Sequence, residues 1–243
     1  MKFGDLTYLE IKEAAEADWM VVIPTGCTEQ QGPHLPVDFD TWLAETVCAA
    51  ASTLAVEEYG VKSLVLPALP FGPTPEHRGF GAGFIDLPQE LHEQVLDAAL
   101  RSLIDQGFKR FILWRGCGRH RLKDMVHNLL AEADESISIF IPSMPYQRIW
   151  GKLGDPAVAT AHADAFVTSI ALHLRAEAVR QDEIRRPEFT MPDWSDPDVD
   201  LVNYSDTGSI GDPTMADPAL GEVLWEATVA EVARILRDYD QQA

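Results

Sequence analysis

The chain has 243 residues, with 19 Lys and Arg against 39 Asp and Glu, a formal charge of −20 and 46% apolar residues. That length supports one large core, and the charge argues against a basic face for nucleic acid or an anionic membrane surface. No stretch reaches the roughly 20 apolar residues of a membrane helix. Residues 1–20 alternate acids with short apolar pieces, unlike a signal peptide. The three Cys, at 27, 48 and 117, are an odd number in a chain too large to need disulfide staples. Reduced thiols in a cytoplasmic protein are expected, with neither a nucleic-acid nor a membrane partner.

Residues 20–23 form the first predicted strand, stopped by Pro24-Thr25-Gly26. From Thr41, Leu43, Val47, Ala50, Ala51 and Leu54 recur at helical spacing. Residues 63–66 are a second strand, broken by Pro67. Pro88 opens a helix whose buried stripe is Leu91, Val95, Ala98, Ala99 and Leu103, and Gly107 ends it. Residues 111–114 are a third strand, and Leu122, Met125, Val126, Leu129 and Leu130 mark the next helix. A fourth strand at 137–141 and a helix at 158–175 follow. Residues 181–218, rich in Pro and Asp, break the rhythm. They read as an ordered excursion packed on the domain through Trp194, Tyr204 and Met215. The closing helix turns Trp225, Val229, Val232 and Leu236 inward. Alternation of strand and helix predicts a three-layer α/β/α fold with a mostly parallel central sheet, as a single domain over 1–243.

In open α/β sheets, sites form at the carboxyl ends of strands. The loop after residue 23 carries Glu29, Gln31, His34 and Asp40, and the segment after Trp114 carries Arg115, Cys117, Arg119 and His120. Carboxylates, a thiol and imidazoles at one sheet edge are the raw material of a divalent metal site. No glycine-rich loop followed by Lys and Ser or Thr is present, so an NTPase is not expected.

The first loop resembles the creatininase-like amidohydrolases, whose pattern is P-x-G-S/T-x-E-Q-H-G-P-H-L-P-x-x-x-D. Pro24, Gly26, Glu29, Gln30, Gly32, Pro33, His34, Leu35, Pro36 and Asp40 stand in register with it. The likeness continues through Glu76-His77, Gly79-Phe80, Gly107-Phe108, His162-Ala163, Thr168-Ser169 and the D-T-G-S-I-G-D-P run at 206–213. It implies a creatininase-like fold, hydrolysis of a small molecule by metal-activated water, and a homo-oligomer (a hexamer or other even assembly). Such proteins typically hold two divalent ions, zinc or manganese. The resemblance makes Glu29 a ligand of one ion and Asp40 the bridge.

The other ligand positions depart from that pattern: Gln31 replaces a His, Cys117 a His, Arg119 a Glu, and Val167 an acidic residue. An amide is a poor ligand and a guanidinium cannot be one. The surviving donors, Glu29, Asp40 and Cys117, suggest a one-metal site, with zinc favoured and manganese possible. His120 is the alternative third ligand. Arg119 would stand in for the missing cation, and His162 is the leading proton-transfer group with His120 second. Gln31, His34, His77, Arg115 and Trp150 are expected to contact substrate or orient ligands.

Each residue also has a plainer reading. Asp40 alone suits a helix N-cap, Glu29 a surface acid and Cys117 a small buried filler. His34 suits a loop lock and Trp150 core packing. His92, His127 and His173 read as surface or boundary residues, and Asp193 to Asp200 as a solvated face without a calcium loop's Gly and terminal Glu. The favoured function is hydrolytic opening of an oxidised, inositol-like cyclic carbonyl compound. The alternatives are hydrolysis of a cyclic amide or formamide, and a non-catalytic small-molecule-binding paralogue.

Overall fold

The computed structural model describes residues 1–242. Its order is α1 (Tyr8–Glu16), β1 (Met20–Thr25), α2 (Phe39–Tyr59), β2 (Ser63–Val65), α3 (Gln89–Asp105), β3 (Arg110–Arg115), α4 (Lys123–Glu132) and β4 (Ser138–Phe140). There follow α5 (Tyr146–Leu153), β5 (Thr160–His162), α6 (Ala165–Leu174), β6 (Ile210–Gly211) and α7 (Pro218–Asp240). Strands β2, β1, β3 and β4 pair in that order, all parallel, and β5 and β6 form a separate antiparallel pair.

The layers follow from the two-residue period of the strands. Met20, Val22, Ile112 and Trp114 face α2 and α7, packing with Val47, Ala51, Val232 and Leu236. Val21, Ile23, Phe111 and Leu113 face the opposite way, onto Leu96 and Leu100 of α3 and Met125 and Leu129 of α4. Both faces are therefore covered, which explains strands with no polar face. A third cluster, around Phe39, Trp150, Phe166 and Leu224, joins α2, α5, α6 and α7. Among the described residues no helix is long and apolar enough to cross a membrane.

Three sequence expectations are corrected. The helix expected over 158–175 is a strand and a helix: β5 pairs with β6, then Ala163 turns at φ 47° and Asp164 caps α6 by accepting from the Phe166 and Val167 amides. Short-range hydrophobic spacing could not reveal β5, because its partner lies almost 50 residues on. Trp150 lies on α5 and is buried. Helix α1 was overlooked although Thr7 and Glu10 form a reciprocal capping box at its start. The 181–218 excursion is indeed ordered by short 3-10 turns, but Trp194 and Met215 lie exposed rather than packed inward.

The helix after β1 lies on one face and the helix after β3 on the other, so the crevice between the carboxyl ends of these neighbouring strands is the topological switch point. Thr25 is in register with Arg115 there, and the Gly116 amide donates to the Thr25 carbonyl at 2.6 Å. A Cβ on Gly116 would sit 2.6 Å from that oxygen and 3.1 Å from the Asp40 carbonyl. Both obstacles are backbone, so the loop must move. Gly116→Ala is expected to destabilise the fold by about 2 kcal/mol in denaturant melts; an unchanged midpoint would show that the crevice can relax.

Candidate metal centre

Loop 26–38 and the segment after β3 bring four acidic donors together. The ligand atoms of Cys27, Glu29, Asp40 and Cys117 all lie within 4.8 Å of one another. Cys27 and Glu29 come from the loop that follows β1. Asp40 comes from the first turn of α2. The N-cap itself is Asp38, so capping does not account for Asp40. Thr41 ties that turn to the loop by donating to the Cys27 carbonyl at 2.9 Å.

Burial sets the charge state of these groups. Desolvation raises Glu29 to about 7, against the lowering contacts of Asp40, Cys27 and Cys117. Asp40 is pushed well above the carboxylate range by burial and then by Glu29. Cys117 reaches about 12, although its contact with Cys27 pulls the other way. Glu29 opposes the ionisation of Asp40, and Cys117, Glu29 and Asp40 oppose that of Cys27; among the described residues no Lys or Arg forms an ion pair with Glu29 or Asp40. A divalent cation is the charge that would let them ionise together, so the donor set fits one.

Glu29 has two differently occupied sides. Its Oε2 accepts from the Cys117 thiol at 3.8 Å. Its Oε1 accepts from the Gln31 amide at 3.3 Å, with His77 Nε2 at 3.4 Å and His162 Nδ1 at 3.6 Å. Glu29, His77 and His162 form a second convergent group. Gln30 sorts the protons on these imidazoles. Its Oε1 accepts from the Gly32 amide at 2.9 Å and its Nε2 donates to the Gly208 carbonyl at 3.1 Å, which fixes the carboxamide orientation. The remaining N–H donates to His77 Nδ1 at 3.0 Å, so the His77 proton is on Nε2, towards Glu29. His162 Nε2 donates to the Gln30 carbonyl at 2.8 Å, leaving an unprotonated Nδ1 facing Glu29. Burial, then His77, lowers His162 to about 3, so this imidazole is neutral at ordinary pH.

A cavity of about 230 Å³ opens on this side, lined by Glu29, Glu76, His77, Cys117, Gly118, Arg119, Met144, Gln147, Ala161, His162, Trp194 and Leu201. Cys27 and Asp40 lie behind this wall. Glu76 is 2% exposed, and its Oε2 has no hydrogen-bond partner. Burial and Glu29 raise it to about 7.

The remaining sequence candidates take other places. Arg119 lines the cavity, but its guanidinium donates to the carbonyls of Trp194, Asp196 and Pro197 and lies 3.5 Å from Glu76. It clamps the acidic excursion over the site rather than standing free. Arg115 donates to the His120 carbonyl and does not line the cavity. His120 is buried behind it, with Nδ1 on Thr25 at 2.8 Å and Nε2 on Cys27 at 3.1 Å. His34 bonds Thr168 on α6 at 2.8 Å. Trp150 is packed in the core and donates to the Val158 carbonyl; the apolar walls come from Trp194, Met144 and Leu201 instead. Asp193, Asp196 and Asp198 are exposed, whereas His92, expected near the surface, is 0% exposed against His120. Cys27 and Glu76 were missed as site residues; Cys27 could have been found from its place two residues before Glu29.

Because the folded-state pKa of Glu76 is raised, folding stability falls as pH climbs from about 4.5 through about 7. Glu76→Gln removes that penalty. Metal-free wild type should lose stability relative to the variant between pH 5 and pH 8, by a difference of the order of 3 kcal/mol in denaturant melts. Parallel curves would contradict the assignment.

The family model described as creatinine amidohydrolase matches residues 4–236. The mycofactocin precursor peptide peptidase of Mycolicibacterium smegmatis is 30% identical over 220 residues, covering 86% of this chain and 81% of that protein. The 3-dehydro-scyllo-inosose hydrolase of Thermotoga maritima is 26% identical over 188 residues, covering 74% of this chain and 58% of that one. A manganese creatininase structure superposes with a TM-score of 0.83 at 23% identity, covering 98% of each chain. The three-layer fold with its parallel sheet matches that structure. The chain belongs to the creatinine amidohydrolase family of hydrolases.

Proposed function

We propose that this protein is a metal-dependent hydrolase of a small, neutral carbonyl compound, with one divalent ion held by Glu29, Asp40 and Cys117. The observation that carries this reading is the two-sided Glu29: one oxygen meets the thiol, the other meets two imidazoles at the wall of the cavity. Such an ion supplies Lewis acidity towards a substrate carbonyl and acidifies bound water. Zinc suits the thiol-containing donor set; manganese is the alternative.

The chain's own groups then divide the work. His162 presents the unprotonated Nδ1, so it is the group placed to accept a proton beside Glu29. His77, held by Gln30, points its N–H at Glu29 and orients that carboxylate. Arg119 holds the roof through three backbone carbonyls.

The lining favours a substrate rich in O–H or N–H donors. Glu29 and Glu76 are acceptors, and the cavity's one guanidinium is engaged by Glu76 and three backbone carbonyls, so an anionic substrate finds no free cation among the lining residues. An oxidised, inositol-like cyclic carbonyl compound, opened at a bond beside its carbonyl, fits a cavity of about 230 Å³. A second reading is hydrolysis of a peptide-type amide. It is favoured by a neighbouring cavity of about 220 Å³ that shares Met144, Gln147 and Ala161 with the first, and by the named activity of the mycobacterial relative. A homo-oligomer in the cytoplasm completes the proposal.

Zinc-loaded protein assayed on an oxidised inositol, a cyclic amide and a short peptide should turn over one class in preference to the others. His162→Gln should then lower kcat at least about 100-fold with KM nearly unchanged. Absence of turnover on all three classes, with ligand binding retained, would favour a binding paralogue and sink the hydrolase reading.

A further inference from the structure

The sequence offered one thiol for the centre, and the structure offers two. Cys27 is 0% exposed and Cys117 is 7% exposed, yet neither belongs to any of the apolar clusters of the described residues. Cys48 is the internal contrast: it is 1% exposed and packs among Ala44, Val47 and Ala51 as a small hydrophobe. The neighbours of Cys27 and Cys117 are instead chemical. Their sulfurs lie within 4.8 Å of each other and of the Glu29 and Asp40 donors. Two sulfurs on one tetrahedral zinc stand about 3.8 Å apart, given zinc–sulfur bonds of about 2.3 Å, so only a small inward shift is required.

The Cys27 thiol is held by one directed hydrogen bond rather than by apolar packing. The Thr25 hydroxyl donates to the Trp114 carbonyl at 3.3 Å and therefore accepts from His120 Nδ1–H at 2.8 Å. That leaves His120 Nε2 unprotonated, 3.1 Å from the Cys27 sulfur, as acceptor for the thiol proton. A merely space-filling cysteine has no use for an imidazole held in one tautomer by a strand-end threonine.

We propose that Cys27 and Cys117 are paired thiolate ligands, making the centre selective for a thiophilic divalent ion, zinc or cobalt, over manganese or magnesium. This rests on the reading of Glu29, Asp40 and Cys117 as ion-holding residues and adds to it a second sulfur and a metal class. Such an ion would bind water or substrate by expanding its coordination beyond the four protein ligands. Loading releases one proton from each thiol to solvent, that of Cys27 leaving by way of His120. Soft sulfur donors favour zinc and cobalt, whereas carboxylate and water suit manganese and magnesium.

The test begins with unmodified protein. X-ray absorption of the zinc-loaded chain should count two sulfur scatterers at about 2.3 Å. Cobalt-loaded wild type should show a sulfur-to-metal charge-transfer band in the near ultraviolet. Cys27→Ser and Cys117→Ser should each lose about half of it, and Cys48→Ser none. In competition, Cys27→Ser should narrow the preference for zinc over manganese at least tenfold. One sulfur in wild type, or a Cys27→Ser spectrum identical to wild type, overturns the paired-thiolate assignment while leaving the one-ion reading intact. No ion bound by wild type under any loading overturns both.

Discussion

Four acidic side chains are forced together where two neighbouring parallel strands end, and among the described residues no Lys or Arg forms an ion pair with either carboxylate. Cys27 and Glu29 follow β1, Cys117 follows β3, and Asp40 rides on the first turn of α2. Their position is dictated by topology. The chain leaves β1 to one face of the sheet and β3 to the other, and the gap between is the one place where both loops can converge. Burial then makes each ionisation costly, so the site is either held neutral by protons or completed by a cation. Around it the structure is built to resist rearrangement: Gly116 lies backbone to backbone on Thr25, and Thr41 anchors the helix turn to the loop.

The same arrangement separates holding from chemistry. Cys27 and Asp40 lie behind the wall of the cavity, Glu29 and Cys117 are part of it, and the imidazoles of His77 and His162 complete it. Gln30 links the two regions: its carboxamide can face only one way and so places the His77 proton, and its backbone carbonyl places that of His162. Where the family resemblance leads one to expect a His at position 31 and a Glu at 119, this chain has an amide that donates to Glu29 and a guanidinium that ties down a loop.

Much of this was legible in the sequence, and the limits were physical. The four sheet strands follow from short branched runs, and Glu29, Asp40 and Cys117 were singled out by the family resemblance of their segments. Strand β5 was not legible, because its pairing with Ile210 and Gly211 is long-range and its neighbour α6 extends the helical period through it. Arg119 looked like a free charge because sequence does not show that three carbonyls of the excursion consume its donors. Cys27 was passed over as one thiol among three; what distinguishes it from Cys48 is a neighbour 93 positions away, His120. The charge of −20 says little about the ligand. Of the few acids that matter, Glu29 and Glu76 are buried and Asp40 is half-buried, and the rest of the excess lies largely on the exterior.

The central claim is that the buried acids at the strand ends exist to hold a cation. Equilibrium dialysis of metal-stripped protein against zinc, in the presence of a competing chelator, tests it most directly. One tightly held ion per wild-type chain, lost in Glu29→Gln and in Asp40→Asn while both variants remain folded, is the result this account predicts. A folded wild-type chain that takes up no ion would contradict it.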